Sequence, residues 1–310
     1  MGSSAATTAT FCATLVDEWI ACGVRHAVVS PGSRSTPIAL EIAARDELVI
    51  HIFQDERSAA FAALGIARAS GVPPLLVCSS GTAAVEFHPA IVEAHQSELP
   101  IIVCTADRPA ELQGVGAPQT IDQINLYGVS VRKFVNAQVA QDSQRNLWRG
   151  LALDLFATSL GKVSGPVHLN LRFREPLIGV AGELPMRDEK SALISQDLSQ
   201  PSTRIMKRLH KLLSNKKGLI VAGPEKYRND SMVKLAEALG WPIIADPRSS
   251  ARVPNSVVVA AADSILRDAD SAKQLKPEVV LRFGALPASK VVNSWLTSSG
   301  VDQVVVTTTP

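Results

Sequence analysis

A chain of 310 residues exceeds one typical domain of about 100 to 200 residues, so its length predicts two domains, each able to bury its own core. Hydrophobic residues make up 46% and charged residues 19%, yet no apolar run approaches the roughly 18 residues that cross a bilayer, which argues against a membrane anchor. The net charge of +2 is nearly balanced and offers no basic surface of the kind that holds nucleic acid.

From Thr8 to Gly23, apolar residues at Phe11, Leu15, Trp19 and Ile20 mark one face of a helix, and Gly23 is a natural stop. A short apolar strand, His26 to Ser30, runs into Pro31-Gly-Ser-Arg-Ser35, and a helix is expected from Thr36 to Arg45. The alternation continues with a strand over 48–53, a helix over 57–70, a strand over 75–78, the turn Ser79-Ser-Gly-Thr82, a helix over 83–95 and a strand over 100–104. Residues 110–129 are too long and too polar for a simple connection, and loops of that length in a compact domain are usually functional. A strand over 131–135, a helix through Trp148, Leu151, Leu155 and Leu160, and a strand over 167–171 complete the first domain.

Residues 176–202, with prolines, glycines and scattered charges, read as an interdomain connection. Beyond it come a helix over 203–214, a strand over 218–222, a helix over 229–239, strands over 242–245 and 279–283, a helix over 288–297 and a strand over 303–306. The Gly223-Pro224 turn is not a GxGxxG loop, which argues against a dinucleotide there. The chain stops just after a strand, so the second domain reads as truncated.

Near-continuous apolar strands alternating with helices predict an α/β fold with two parallel sheets covered on both faces. In such sheets the ligand crevice lies outside the carboxyl ends of the strands. Four polar loops converge there: Pro31-Gly-Ser-Arg34, Asp55-Glu56-Arg57, Ser79-Ser-Gly81 and Thr105-Ala-Asp-Arg-Pro109.

Each loop has a plain reading beside a functional one. Glu56 sits where a strand gives way to an Ala-rich helix, as a catalytic acid or as an anion favoured by the helix dipole. Ser33 and Arg34 face the crevice, Arg34 offering a planar fork to a carboxylate or phosphate, or Ser35 merely caps the next helix. Ser79 to Thr82 is a polar-group site at a helix start or an ordinary turn. Arg108 pairs with a ligand or with its neighbour Asp107, and Gln119 is a site residue or a turn residue. His51 and His168 lie in strands and read as core or sheet-edge residues, while His88 and His95 lack a third metal ligand. Cys12, Cys22, Cys78 and Cys104 lie in apolar patterns without metal-ligand spacing and read as buried thiols of a reducing compartment, the cytoplasm. The N-terminus shows neither the basic nor the apolar region of a secretory signal.

Taken together, Gly23-Val-Arg-His26, Ser30-Pro-Gly-Ser-Arg-Ser35, Asp55-Glu-Arg-Ser58, Ser80-Gly-Thr-Ala83, Thr105-Ala-Asp-Arg-Pro109 and Gly116-Ala-Pro-Gln119 closely resemble the N-terminal part of the thiamine diphosphate enzymes. Within that family the chain is most similar to the 2-succinyl-5-enolpyruvyl-6-hydroxy-3-cyclohexene-1-carboxylate synthases of menaquinone biosynthesis. The resemblance runs in order from about Thr8 to Pro176 and more loosely to Pro310. Acetolactate synthases and other relatives share the fold and the glutamate but not the SPGSRS and TADRP loops.

The resemblance implies a pyrimidine-binding domain over 1–185, a linker over 186–202 and a central α/β domain over 203–310. It implies that Glu56 shares a proton with N1′ of the cofactor aminopyrimidine, stabilising the imino tautomer that removes the thiazolium C2 proton. A carboxyl group in that role keeps its proton at neutral pH, which burial against apolar walls favours. Ser80, Gly81 and Thr82 are implied on the cofactor side. Ser33, Arg34, Arg108, Gln119 and Lys290 match positions on the substrate side, the substrates being 2-oxoglutarate and isochorismate. Pro118 stands where some members have Asn, which removes one side-chain hydrogen bond but leaves Gln119 in register. The family holds the diphosphate and Mg²⁺ in a third domain through a Gly-Asp followed by an Asn, and no Gly-Asp pair occurs here. The isolated chain is therefore expected to be inactive and to bind the cofactor weakly. The complete enzyme is expected to be a homodimer or homotetramer. Another carboligase or decarboxylase of this superfamily, or a non-catalytic α/β remnant or subunit, are the alternatives.

Overall fold

Strands that are apolar on consecutive residues need cover on both faces, and the packing of each sheet follows from that need. The computed structural model describes residues 4–187, 201–224 and 231–306. The chain divides into two compact units, Met1–Ser195 and Gln196–Pro310.

The first unit runs α1 (Ala5–Ala21), β1 (His26–Val29), α2 (Thr36–Ala43), β2 (Val49–Ile52), α3 (Glu56–Ser70), β3 (Leu75–Cys78), α4 (Thr82–Glu86), α5 (His88–Gln96), β4 (Ile101–Asp107), β5 (Lys133–Ala137), α6 (Arg145–Ser159) and β6 (Pro166–Arg172). Its strands form one sheet in the order β2-β1-β3-β4-β6-β5, with every pair parallel. Strand alternation sends Ala27, Val29, Leu75 and Val77 into one core with Leu15 and Trp19 of α1 and Phe156 of α6. Val28, Leu76, Cys78 and Val103 go to the other face, against the alanines of α3 and Phe87 and Ile91 beside them. Fully burying a side chain such as Leu15 on one face or Ile91 on the other contributes about 1.5 to 3 kcal/mol, so both faces help to hold the sheet.

The second unit runs α7 (Thr203–Leu213), β7 (Gly218–Ala222), α8 (Ser231–Leu239), β8 (Ile243–Ala245), β9 (Val258–Val259), α9 (Ala262–Arg267), α10 (Ala269–Gln274), β10 (Val279–Phe283), α11 (Lys290–Ser298) and β11 (Asp302–Val306). Its sheet has the order β11-β10-β7-β8-β9 and is also parallel throughout.

Several local expectations change. The single helix expected over 83–95 is two, α4 and α5, because Pro89 lacks the N–H that would continue the first ladder. Ser35 makes no side-chain cap to α2; its hydroxyl donates to Gly32 O at 2.9 Å. The short β9, α9 and α10 lie where the sequence pattern suggested nothing, since pieces of two to six residues carry too little periodicity. Cys12, Cys78 and Cys104 are buried free thiols as expected, whereas Cys22 is only partly covered. Residues 188–200 of the expected connection and 229–230 of the helix expected over 229–239 lie outside the described residues.

Candidate functional site

The first sheet reverses its winding beside β1: β2 follows on one side and β3 on the other. The C-terminal ends of β1 and β3 therefore flank the crevice where α/β sheets place ligands. Ser30 N donates to Val77 O at 2.8 Å, and the two chains then run so close that a side chain at Gly32 would overlap Ser79. Only glycine fits that crossing.

Three of the expected residues meet there. Arg108, just past β4, does not form the side-chain pair with Asp107 that its neighbour suggests. Its backbone N–H goes to Asp107 Oδ1, while its guanidinium turns back to donate to Ser80 Oγ and to Gln119 O, the latter at 2.7 Å. Gln119 Nε2 donates to Ser80 O at 3.1 Å, and Ser80 Oγ donates to Gln119 O at 3.1 Å. Gln119 sits at φ 53°, a left-handed conformation that a non-glycine residue holds only when its surroundings impose it. Gly81, at φ 83° and ψ −143°, packs under it, so that a Cβ there would lie 3.0 Å from Gln119 Cγ.

Arg34 approaches from a short 3-10 turn after β1 and is 8% exposed. Its guanidinium donates to Phe173 O at 3.1 Å and to Glu175 Oε1 at 3.2 Å, while its buried Nε has no partner among the described residues. Burial, then the like charge of Arg34, lower the Arg108 pKa from its ordinary value, with Asp107 and Glu175 opposing. Two guanidinium groups close enough to feel one another form a site that favours a carboxylate. Ser30 Oγ is likewise buried without a partner. Ser33 is exposed, and its backbone carbonyl accepts the Thr36 N–H.

Glu56 is the first residue of α3, whose cap is the preceding Asp55: its carboxylate accepts from Ser58 N at 2.7 Å. Glu56 is thus not needed to cap the helix. Its carboxylate has no hydrogen bond or ion pair among the described residues and is only partly buried; burial, and after it the nearby Glu56 charge, raise the pKa of the Cys78 thiol at the end of β3. The expected apolar enclosure does not close over it within this unit. Ile52 and Phe61, on the same strand and helix, are 59% and 45% exposed. Thr82 is exposed at the start of α4, a single turn of five residues whose dipole is too short to make a strong anion site.

Lys290 belongs to the second unit, as the first residue of α11, and is exposed. Its neighbour Ser289 caps that helix and donates to Asp263.

The loops rest on a layer of buried polar residues of which the sequence reading singled out only His168, as a core or sheet-edge residue. Thr105 and Asp107 on β4 and His168 and Asn170 on β6 are at most 1% exposed. Polar residues two apart on apolar strands share a face, and this spacing was the available signal. Burial lowers the His168 pKa to about 3, so its imidazole is neutral, packed edge-on against Tyr127 and tilted against Phe134.

A free carboxylate at a strand–helix junction suits the shared proton that an aminopyrimidine needs, so the residues present fit the pyrimidine end of thiamine diphosphate. Among the described residues no group of three or more His, Cys, Asp or Glu is placed to hold a metal. None of their helices is long and apolar enough to cross a membrane.

Residues 10–126 match the family model "Thiamine pyrophosphate enzyme, N-terminal TPP binding domain", and residues 186–307 match "Middle domain of thiamine pyrophosphate". A 2-succinyl-5-enolpyruvyl-6-hydroxy-3-cyclohexene-1-carboxylate synthase of Listeria innocua is 41% identical over 302 residues, covering 92% of this chain and 51% of its own. Proteins of the same name from Geobacillus kaustophilus and Bacillus pumilus are 42% and 40% identical over 298 and 309 residues, covering 92% and 96% of this chain and 52% and 53% of theirs. The chain spans about half the length of the curated relatives it matches.

Proposed function

Because the chain belongs to the thiamine pyrophosphate enzymes and carries their N-terminal and middle domains, we propose that it forms part of a 2-succinyl-5-enolpyruvyl-6-hydroxy-3-cyclohexene-1-carboxylate synthase. That enzyme decarboxylates 2-oxoglutarate and joins the resulting four-carbon unit to isochorismate. Residues 1–185 are the pyrimidine-binding domain, 186–202 the linker and 203–310 the central domain. A diphosphate-binding domain that supplies the Mg²⁺ site completes the enzyme, as further chain or as a second chain, in a homodimer or homotetramer. Four unpaired cysteines support action in the cytoplasm.

The observation that carries this reading is the uncommitted Glu56 carboxylate, close enough to act on Cys78 at the end of β3, the strand that leads into Ser80. Thiamine diphosphate, when bound, supplies the nucleophilic carbon and the electron sink. Glu56 holds a proton at the pyrimidine ring nitrogen. Ser80, Gly81 and Thr82 line the cofactor side. Arg34 and Arg108 bind and orient the carboxylates of the two substrates, Ser33 and Gln119 add polar contacts to them, and Lys290 adds a cation from the central domain. Planar guanidinium forks suit carboxylates because two parallel N–H groups meet two oxygens.

The assembled enzyme, this chain with its diphosphate-binding domain, thiamine diphosphate and Mg²⁺, is expected to consume 2-oxoglutarate only when isochorismate is present. Turnover of pyruvate but not 2-oxoglutarate would point instead to another carboligase of the family.

A further inference from the structure

Asp107, Asn170 and Gln123 form a buried chain whose hydrogen-bond direction is fixed from one end. A carboxylate only accepts, so Asp107 Oδ2 requires the amide nitrogen of Asn170, which donates to it at 2.8 Å and to Asn136 Oδ1 at 3.0 Å. That orientation turns Asn170 Oδ1 the other way, where it accepts from Thr105 Oγ1 at 2.8 Å and from Gln123 Nε2 at 2.8 Å. The second Nε2 hydrogen of Gln123 goes to Ala106 O at 3.1 Å. Its Oε1 is thereby left facing Gly81, whose N–H it accepts at 2.8 Å. Gln123 is 1% exposed, so no water substitutes for any of these partners without a rearrangement.

Gly81 is held on two sides by one loop. Gln119 lies against it from above, and Gln123, four residues on, takes its N–H. We propose that Gln123 is a positioning residue of the candidate site: by accepting the Gly81 N–H it fixes the Ser80-Gly81-Thr82 turn against Arg108 and Gln119, and Asp107 sets the polarity of that tether through Asn170. The assignment of these loops to cofactor and substrate rests on the function proposed above; the tether itself does not.

The test compares Gln123→Leu, which removes the acceptor, Gln123→Glu, which keeps an acceptor for Gly81, and Ile42→Ala, which opens the core behind α1 and α2 without touching the chain of amides. Amide exchange in the full 310-residue chain is normalised to each variant's global stability. Gly81 exchange is expected to speed up about tenfold or more in Gln123→Leu, with partial protection kept in Gln123→Glu and no specific change in Ile42→Ala. In the assembled enzyme, kcat/KM is expected to fall by about tenfold or more in Gln123→Leu, to recover partly in Gln123→Glu and to hold in Ile42→Ala. Gly81 exchange in Gln123→Leu no faster than in Ile42→Ala would overturn the tether. Unchanged kcat/KM in Gln123→Leu would overturn its positioning role. Failure of the functional reading is seen separately, as full turnover by Glu56→Gln.

Discussion

Both sheets of this protein reverse their winding beside their first strand, yet the two reversal points are finished differently. Between β1 and β3 the loops part after Gly32, and side chains fill the space: Arg34, Ser80, Arg108 and Gln119, with partnerless nitrogen and oxygen at Arg34 and Ser30. Between β7 and β10 the backbone closes the crevice on itself. Gly223 N donates to Phe283 O at 2.9 Å, and Ala285 N donates to Pro224 O at 3.0 Å. A side chain at Gly223 would collide with Ala285 O, and one at Gly284 with Pro224 O. The same architecture thus leaves an open, side-chain-lined edge in one unit and a sealed joint in the other. What decides is whether the loops spend their hydrogen bonds on each other or leave side chains unsatisfied.

The largest expected effect breaks the sealed joint. Gly223→Ala places a methyl group against a carbonyl that other bonds hold still, and should destabilise the second unit by about 3 kcal/mol or more while the first keeps its own transition. Separate melting of the two units by calorimetry checks this, and a Gly223→Ala second unit of unchanged stability would show that the joint is not closed. At the open edge, Arg108→Met removes the donor to Ser80 and Gln119, and in the assembled enzyme of the function proposed above KM for the proposed carboxylate substrates should rise about tenfold to hundredfold, as for a lost charge-assisted hydrogen bond.

The buried layer beneath that edge adds a pH dependence through a neutral imidazole. His168 titrates near 3 in the folded protein against about 6.5 unfolded, so only the unfolded chain takes up this proton between those values. Its contribution is whole above pH 6.5 and lost as pH falls, at about 1.4 kcal/mol per unit, until about pH 3. Denaturant titrations of the first unit at pH 7 and pH 5 should differ by about 2 kcal/mol from this group, and His168→Gln should flatten that difference. Lys290→Ala gives the smallest effect: exposed, its loss should change stability by less than about 0.5 kcal/mol and raise substrate KM only several-fold.

Much of this architecture is legible in the sequence because apolar runs such as Leu75 to Cys78 and Val279 to Phe283 admit only a strand covered on both faces. The polar loops at the strand ends are legible for the same reason, since they interrupt such runs. The links among them are not. Nothing near Arg108 in sequence announces that its side chain abandons Asp107 for Ser80 and Gln119, 28 and 11 residues away. Gln123 sits in the polar stretch 110–129 with nothing in its neighbours to mark it, and only the fold buries it against Asn170. Asp55 and Glu56 both suit a helix start, and only the structure shows that Asp55 is the cap and leaves Glu56 uncommitted.

That freedom of Glu56 is the central claim, and its most direct test is exchange of the C2 proton of thiamine diphosphate with solvent deuterium on the assembled enzyme, without substrates. Glu56→Gln should slow the exchange by about a hundredfold or more while the bound cofactor and the melting temperature of the first unit stay unchanged. Exchange at the wild-type rate in Glu56→Gln would contradict the account.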